Sequence, residues 1–76
     1  MHFEYSKHWM KKKEGRRQDI EEHMIEYCLM KSNRIKDRRW GDVYNAITRI
    51  PPSARLLKVV YKIEGKNIKI LTAYWL

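Results

Sequence analysis

A single cysteine, three isolated glycines, two adjacent prolines and one phenylalanine in 76 residues remove several classes of function before any motif is sought. The lone Cys28 excludes an intramolecular disulfide and a multi-cysteine zinc site, and it fits a reducing compartment. His2, His8 and His23 are scattered, and His23 and Cys28, five residues apart, fall on different faces of a helix, so no metal is expected. The glycines stand singly, which leaves no phosphate-cradling loop and no dinucleotide fingerprint, and no cofactor is expected. No apolar run approaches the roughly 18 residues of a membrane span, and no signal-peptide core follows Met1. A complete cytoplasmic domain, residues 1–76, without membrane contact, is the expectation.

What the chain does carry is positive charge. Seventeen Lys and Arg stand against nine acids, for a net charge of +8. Partners of such a surface are phosphate polyanions or an acidic protein, although solvation alone also accounts for a cationic surface. Lys7, Lys11, Lys12, Lys13, Arg16 and Arg17 crowd the beginning, followed by the acids Asp19, Glu21, Glu22 and Glu26. Arg34, Lys36, Arg38 and Arg39 come next, and Arg49, Arg55 and Lys58 continue the series. A hydrophobic content of 43%, with three Trp and five Tyr, suffices for one core. A chain this short buries only roughly 60% of its unfolded surface, which leaves room for stabilisation by a homodimer.

Ser6 reads as the N-cap of a helix over Lys7 to Glu14, closed by Gly15 in the left-handed region, with three lysines near the negative pole. Asp19 and Glu22 have capping-box spacing and open a second helix reaching about Met30. Its apolar stripe, Ile20, Met24, Ile25, Tyr27, Cys28 and Leu29, is core. Arg34 to Trp40 and Asp42 to Ile50 read as strands around Gly41, and Pro51-Pro52-Ser53 as a connection. The final twenty residues read as a hairpin about Gly65-Lys66 with a type II′ turn. That register sets Ile63 opposite Ile68, Tyr61 opposite Ile70, Val59 opposite Thr72 and Leu57 opposite Tyr74, all on one face. Lys58, Lys62 and Lys69, with Val60, Leu56, Leu71 and Trp75, fall on the other. The pattern predicts an α+β domain: two N-terminal helices packed on a four-stranded antiparallel sheet.

Candidate chemistry gathers on the cationic side. Arg34, Lys36, Arg38 and Trp40 alternate onto one face of the third element, Arg49 ends the fourth, and Lys58 and Trp75 share a hairpin face. Cations interleaved with aromatics can hold a phosphate chain and stack a base, the latter worth roughly 1–3 kcal/mol per base. The same cations on an open sheet also guard against edge-to-edge aggregation. His8 shares a helical face with Lys11 and Lys12, whose charge favours a neutral imidazole base; a surface or core histidine is the plainer alternative. Metal-free RNA cleavage needs a group to take the 2′-hydroxyl proton, another to protonate the leaving oxygen, and fixed cations for the phosphoryl charge. His8 and Tyr74 can handle protons, while Arg38, Arg39, Arg49 and Lys58 can neutralise phosphate.

Ser6-Lys7-His8, Asp19-Ile20-Glu21, Leu57-Lys58-Val59-Val60-Tyr61 and Ile70-Leu71-Thr72-Ala73-Tyr74-Trp75 resemble a family of small, functionally uncharacterised prokaryotic domains similar in build to the RelE-like toxins of toxin–antitoxin pairs. The resemblance spans nearly the whole chain in element order, with short motifs. Trp9 stands where that family usually has a small residue, and Lys12 where it has Arg. The likeness implies a RelE-like fold, metal-independent endoribonuclease activity on RNA (ribosome-associated in some such toxins) and an acidic antitoxin partner. The catalytic set expected on this basis is His8, Arg38, Arg49 and Tyr74; Lys12, Arg34, Lys36, Arg39, Lys58 and Trp75 are expected to bind the nucleic acid. A non-catalytic basic nucleic-acid-binding module and an interaction domain for an acidic protein are the alternatives.

Overall fold

The structure, a computed structural model, describes residues 2–15, 19–32, 35–36 and 41–76. The elements run β1 (His2–Tyr5), α1 (Lys7–Glu14), α2 (Glu22–Lys31), β2 (Ile35–Lys36), β3 (Val43–Ile50), β4 (Arg55–Glu64) and β5 (Asn67–Trp75). Two helices on a sheet confirm the α+β expectation. The sheet, however, has five strands in the order β1-β5-β4-β3-β2, and it is mixed: β1 runs parallel to β5, while the other neighbours are antiparallel. Four residues at the chain start carry little periodic signal, yet Phe3 and Tyr5 pack against the core beside Ile68 and Ile70.

Helix α1 has the expected bounds, and Ser6 explains its start. The Ser6 hydroxyl accepts from the Trp9 backbone N–H at 3.1 Å and donates to the Leu71 carbonyl at 2.9 Å. One side chain therefore caps the helix and ties it to the middle of β5. Trp9 then enters the core, 1% exposed. Gly15 ends the helix at φ −90°, so the left-handed closure expected there does not occur, although its N–H still reaches the Lys11 carbonyl.

The capping-box reading of Asp19 and Glu22 is also overturned. Helix α2 begins at Glu22 behind Glu21, whose side chain makes no capping bond and instead lies 3.3 Å from His23. The Asp19 carboxylate is taken up elsewhere, by Trp75 and Arg55. The apolar stripe of α2 is core as expected: Ile20, Ile25 and Cys28 are fully buried, and Met24, Tyr27 and Leu29 pack around them. Ser32, just past the helix, accepts from the Ile47 N–H at 2.9 Å and so fixes α2 to β3.

The hairpin turn forms as expected, with Gly65 at φ +62° and Glu64 opposite Asn67. Ile63 meets Ile68 and Tyr61 meets Ile70, but a bulge then shifts the register by one residue. Beyond it Val59 faces Ala73 and Leu57 faces Trp75, not Thr72 and Tyr74. A one-residue shift exchanges the faces of every following side chain. Ala73 and Trp75 thus turn to the helices, while Thr72 and Tyr74 turn to the uncovered side.

Candidate nucleic-acid interface

The pairings define what the uncovered face of the sheet presents. One row across β3, β4 and β5 is Ile47, Lys58 and Tyr74; the next toward the hairpin tip is Asn45, Val60 and Thr72; Arg49 pairs with Leu56 at the other end. Toward the tip, Lys62 lies beside Lys69, and Lys69 beside Glu4 of β1. Ile35 of β2 joins this face opposite Asn45 and is 47% exposed. The centre is therefore mixed, with Ile35, Ile47 and Val60 beside Asn45 and Thr72, and cations stand at both ends.

The two ends differ in charge balance. At the tip, Lys62 Nζ stands 3.1 Å from Asp42 Oδ2. The hydrogen bond from Lys62 holds the Asp42 carboxyl below the usual carboxylate range, and Asp42 in turn raises the lysine. Glu4 and Glu64 add further negative charge there. At the root, no carboxylate among the described residues pairs with Lys58 or Arg49. Lys58 Nζ lies 5.7 Å from the Tyr74 ring centroid, within cation–π reach. Arg49 is exposed and donates from Nη1 to the Ala54 carbonyl at 3.1 Å, which leaves the rest of its guanidinium for other acceptors. Unbalanced positive charge beside an aromatic ring is thus a property of the root, whereas the sequence places lysines at the tip and an aromatic at the root.

Of the ten site residues expected from sequence, the structure brings Arg49, Lys58 and Tyr74 onto this face. Trp75 is corrected: the bulge puts it on the helix side, where its Nε1 donates to Asp19 Oδ2 at 2.8 Å and the Arg55 guanidinium stacks 4.3 Å from its ring. Lys36 is corrected too, because it pairs with Tyr44, whose cross-strand neighbour Tyr61 is core. His8 and Lys12 are exposed on α1, the helix whose Trp9 packs against the opposite face from Arg49. Arg34, Arg38 and Arg39 lie outside the described residues.

Sequence reasoning passed over Asn45, Ile47 and Thr72, which complete the open face. The signal for Asn45 and Ile47 is the alternation in β3, where Tyr44, Ala46 and Thr48 point inward and the residues between them outward, whereas Thr72 reaches this face only through the bulge in β5. Among the described residues no three His, Cys, Asp or Glu side chains gather as metal ligands. Among the described residues no helix is long and apolar enough to cross a membrane. Comparison of the chain with protein-family models, with curated proteins and with solved structures finds no match.

Proposed function

We propose that the chain binds RNA through the root of the open sheet face and acts on it as a metal-independent endoribonuclease of the RelE-like type, in the cytoplasm and under the control of an acidic antitoxin. The observation that carries this reading is the juxtaposition of Lys58 with Tyr74, flanked by Arg49 and, among the described residues, by no pairing carboxylate. Lys58 and Arg49 neutralise successive phosphates, and the Tyr74 ring bears a base. In the cleavage step the 2′-oxygen attacks the adjacent phosphorus and its proton leaves to a base. The 5′-oxygen departs with a proton, and the cations stabilise the charged phosphoryl oxygens. Tyr74 is the proton-carrying side chain nearest those cations, with Arg38 a further cation of the set.

A second reading, RNA binding without cleavage, draws on one specific observation: His8 rides on the helix that packs against the other face from Arg49. The experiment incubates the purified chain with end-labelled RNA, with and without ribosomes, in EDTA, and maps the ends. Fragments ending in 2′,3′-cyclic phosphate, lost in Lys58→Ala and Tyr74→Phe, support the nuclease. Intact RNA retained in a salt-sensitive complex favours the second reading. Neither cleavage nor binding removes both and leaves the acidic-protein partner as the role of this face.

A further inference from the structure

Strand β1 pairs with β5 only as far as Ile70. The root half of β5, which carries Thr72 and Tyr74, therefore has no strand on its outer side among the described residues. Helix α1 takes over there. The Ser6 backbone N–H donates to the Ile70 carbonyl at 2.9 Å, and the Ser6 hydroxyl donates to the Leu71 carbonyl at 2.9 Å. These bonds start the helix at the point where β1 stops. From Ser6 onward α1 packs against β5, whereas α2 packs against β3 and β4.

Helical periodicity sorts the residues of α1 into two flanks. Met10, Lys13 and Glu14 line the cleft shared with Glu22 of α2. His8 and Lys12, one turn apart, fall on the opposite flank, away from α2 and hence past the outer edge of β5. Both are exposed, and Lys7 and Lys11 adjoin them on the outward side. Among the described residues no ion pair joins a carboxylate to Lys7, Lys11 or Lys12. Two cationic groups thus border the same half-strand: Lys58, paired with Tyr74, on the inner side, and the α1 lysines on the outer.

We propose that a single strand of RNA seated at the root continues over the outer edge of β5 to α1, where Lys12 and His8 hold its next phosphates. The inference rests on the RNA reading of the root and adds to it a second contact that is indifferent to sequence. Tyr74 then lies midway along the path, with Lys58 and Arg49 on one side of it and Lys12 on the other. A route that bends around a sheet edge suits a flexible single strand and opposes a stiff duplex. Exposed lysines are solvated in the free protein, and their contribution to binding comes from the counterions that a polyanion releases. An anionic bilayer is the poorer occupant: the exposed apolar side chain of α1, Met10, lies on the α2 flank and gives Lys12 no neighbouring anchor.

Two single-stranded RNAs, a trinucleotide and an oligomer of about ten nucleotides, are titrated into the full chain over a salt series. The longer strand is expected to show the steeper fall of log affinity with log salt, by at least about 0.7, the value for one further phosphate contact. Lys12→Ala removes that increment for the longer strand and leaves the trinucleotide unaffected, and Lys12→Arg restores it. Lys13→Ala, on the α2 flank, changes the slope far less. In heteronuclear NMR the His8 and Lys12 resonances shift with the longer strand only. Equal slopes for the two RNAs, or equal effects of Lys12→Ala and Lys13→Ala, overturn the path and leave the root site standing. If neither RNA binds, the root reading fails and takes the path with it.

Discussion

Trp75 Nε1 donates to Asp19 Oδ2 at 2.8 Å, joining the end of the last strand to the segment between the helices across 56 positions of sequence. Arg55 completes the arrangement, with its guanidinium 3.6 Å from the same carboxylate oxygen and stacked on the same indole. The group is surface-exposed, so its ionic part contributes little and the hydrogen bond and stacking dominate. Asp19→Ala is expected to lower stability by about 1 kcal/mol, and Asp19→Asn by less, since the amide oxygen still accepts. Urea unfolding checks both, and equal losses for the two variants contradict the assignment.

Ala54 provides a case where the chain resists its own side chain. It sits at φ +60° in the connection between β3 and β4, a region that L-residues other than glycine enter at a cost of roughly 1–2 kcal/mol. Glycine removes that strain but adds unfolded-state freedom of roughly 0.4–1 kcal/mol. The net expectation for Ala54→Gly is a stabilisation of about 0.5 kcal/mol, read as a higher urea midpoint at unchanged slope. Destabilisation of similar size refutes it.

Two buried groups make the protein lose stability in alkali. Burial pushes the Cys28 thiol from 9.0 up to about 11 and, with help from Glu22 and Glu26, the Tyr5 hydroxyl from 10.0 to about 12. The folded state keeps both protons to higher pH than the unfolded state does. The stabilisation is thus complete below pH about 9 and is lost as the pH rises through the folded values. For Cys28 the loss is on the order of 2 kcal/mol across that window, and Cys28→Ala should flatten the decline between pH 9 and 11. The thiol, fully buried and aimed at the Ala46 and Leu57 carbonyls, should also resist thiol reagents at the rate of global unfolding. Rapid labelling of the native chain is the contrary result.

How far the sequence carries the fold is clearest in β5. Gly65, the turn length and the pairs Ile63–Ile68 and Tyr61–Ile70 follow from alternation alone. The bulge does not, because Leu71 is an apolar residue in an apolar run and nothing local marks it as the extra position. It is stabilised at long range: Ser6 donates to the Leu71 carbonyl, and the shifted strand delivers Trp75 to Asp19 and Arg55. The same contact explains why Asp19 does not cap α2, so one tertiary arrangement accounts for two departures from pattern reading. Ser6, by contrast, is legible as a cap because the bond to Trp9 is three residues away. Deleting Leu71 removes the extra residue and leaves Thr72 opposite Val60, Ala73 opposite Val59 and Trp75 opposite Leu57, so the near-ultraviolet signal of the packed indole should be retained. The expected loss is about 1 kcal/mol, from the Ser6 bond to the Leu71 carbonyl. Loss of the indole signal in the deletion variant contradicts the assignment of Leu71 as the extra residue.

For the open face, the charge balance distinguishes lysines that look alike in sequence. Lys58 has no carboxylate pairing among the described residues and lies over Tyr74, whereas Lys62, two positions along the same strand face, is matched by Asp42 at 3.1 Å. If RNA seats at the root, Lys58→Ala removes one phosphate contact and flattens the plot of log affinity against log salt by about 0.7, the value for one charge on a single strand. Lys62→Ala frees Asp42 at the tip and leaves that slope nearly unchanged, with only a small uniform loss from added repulsion. Tyr74→Leu keeps the slope and weakens binding at every salt concentration, because it removes stacking and no charge. Affinity measurements on a short single-stranded RNA over a salt series separate the three. Equal slopes for the Lys58 and Lys62 variants place the contact away from the root and defeat the assignment of that end of the sheet.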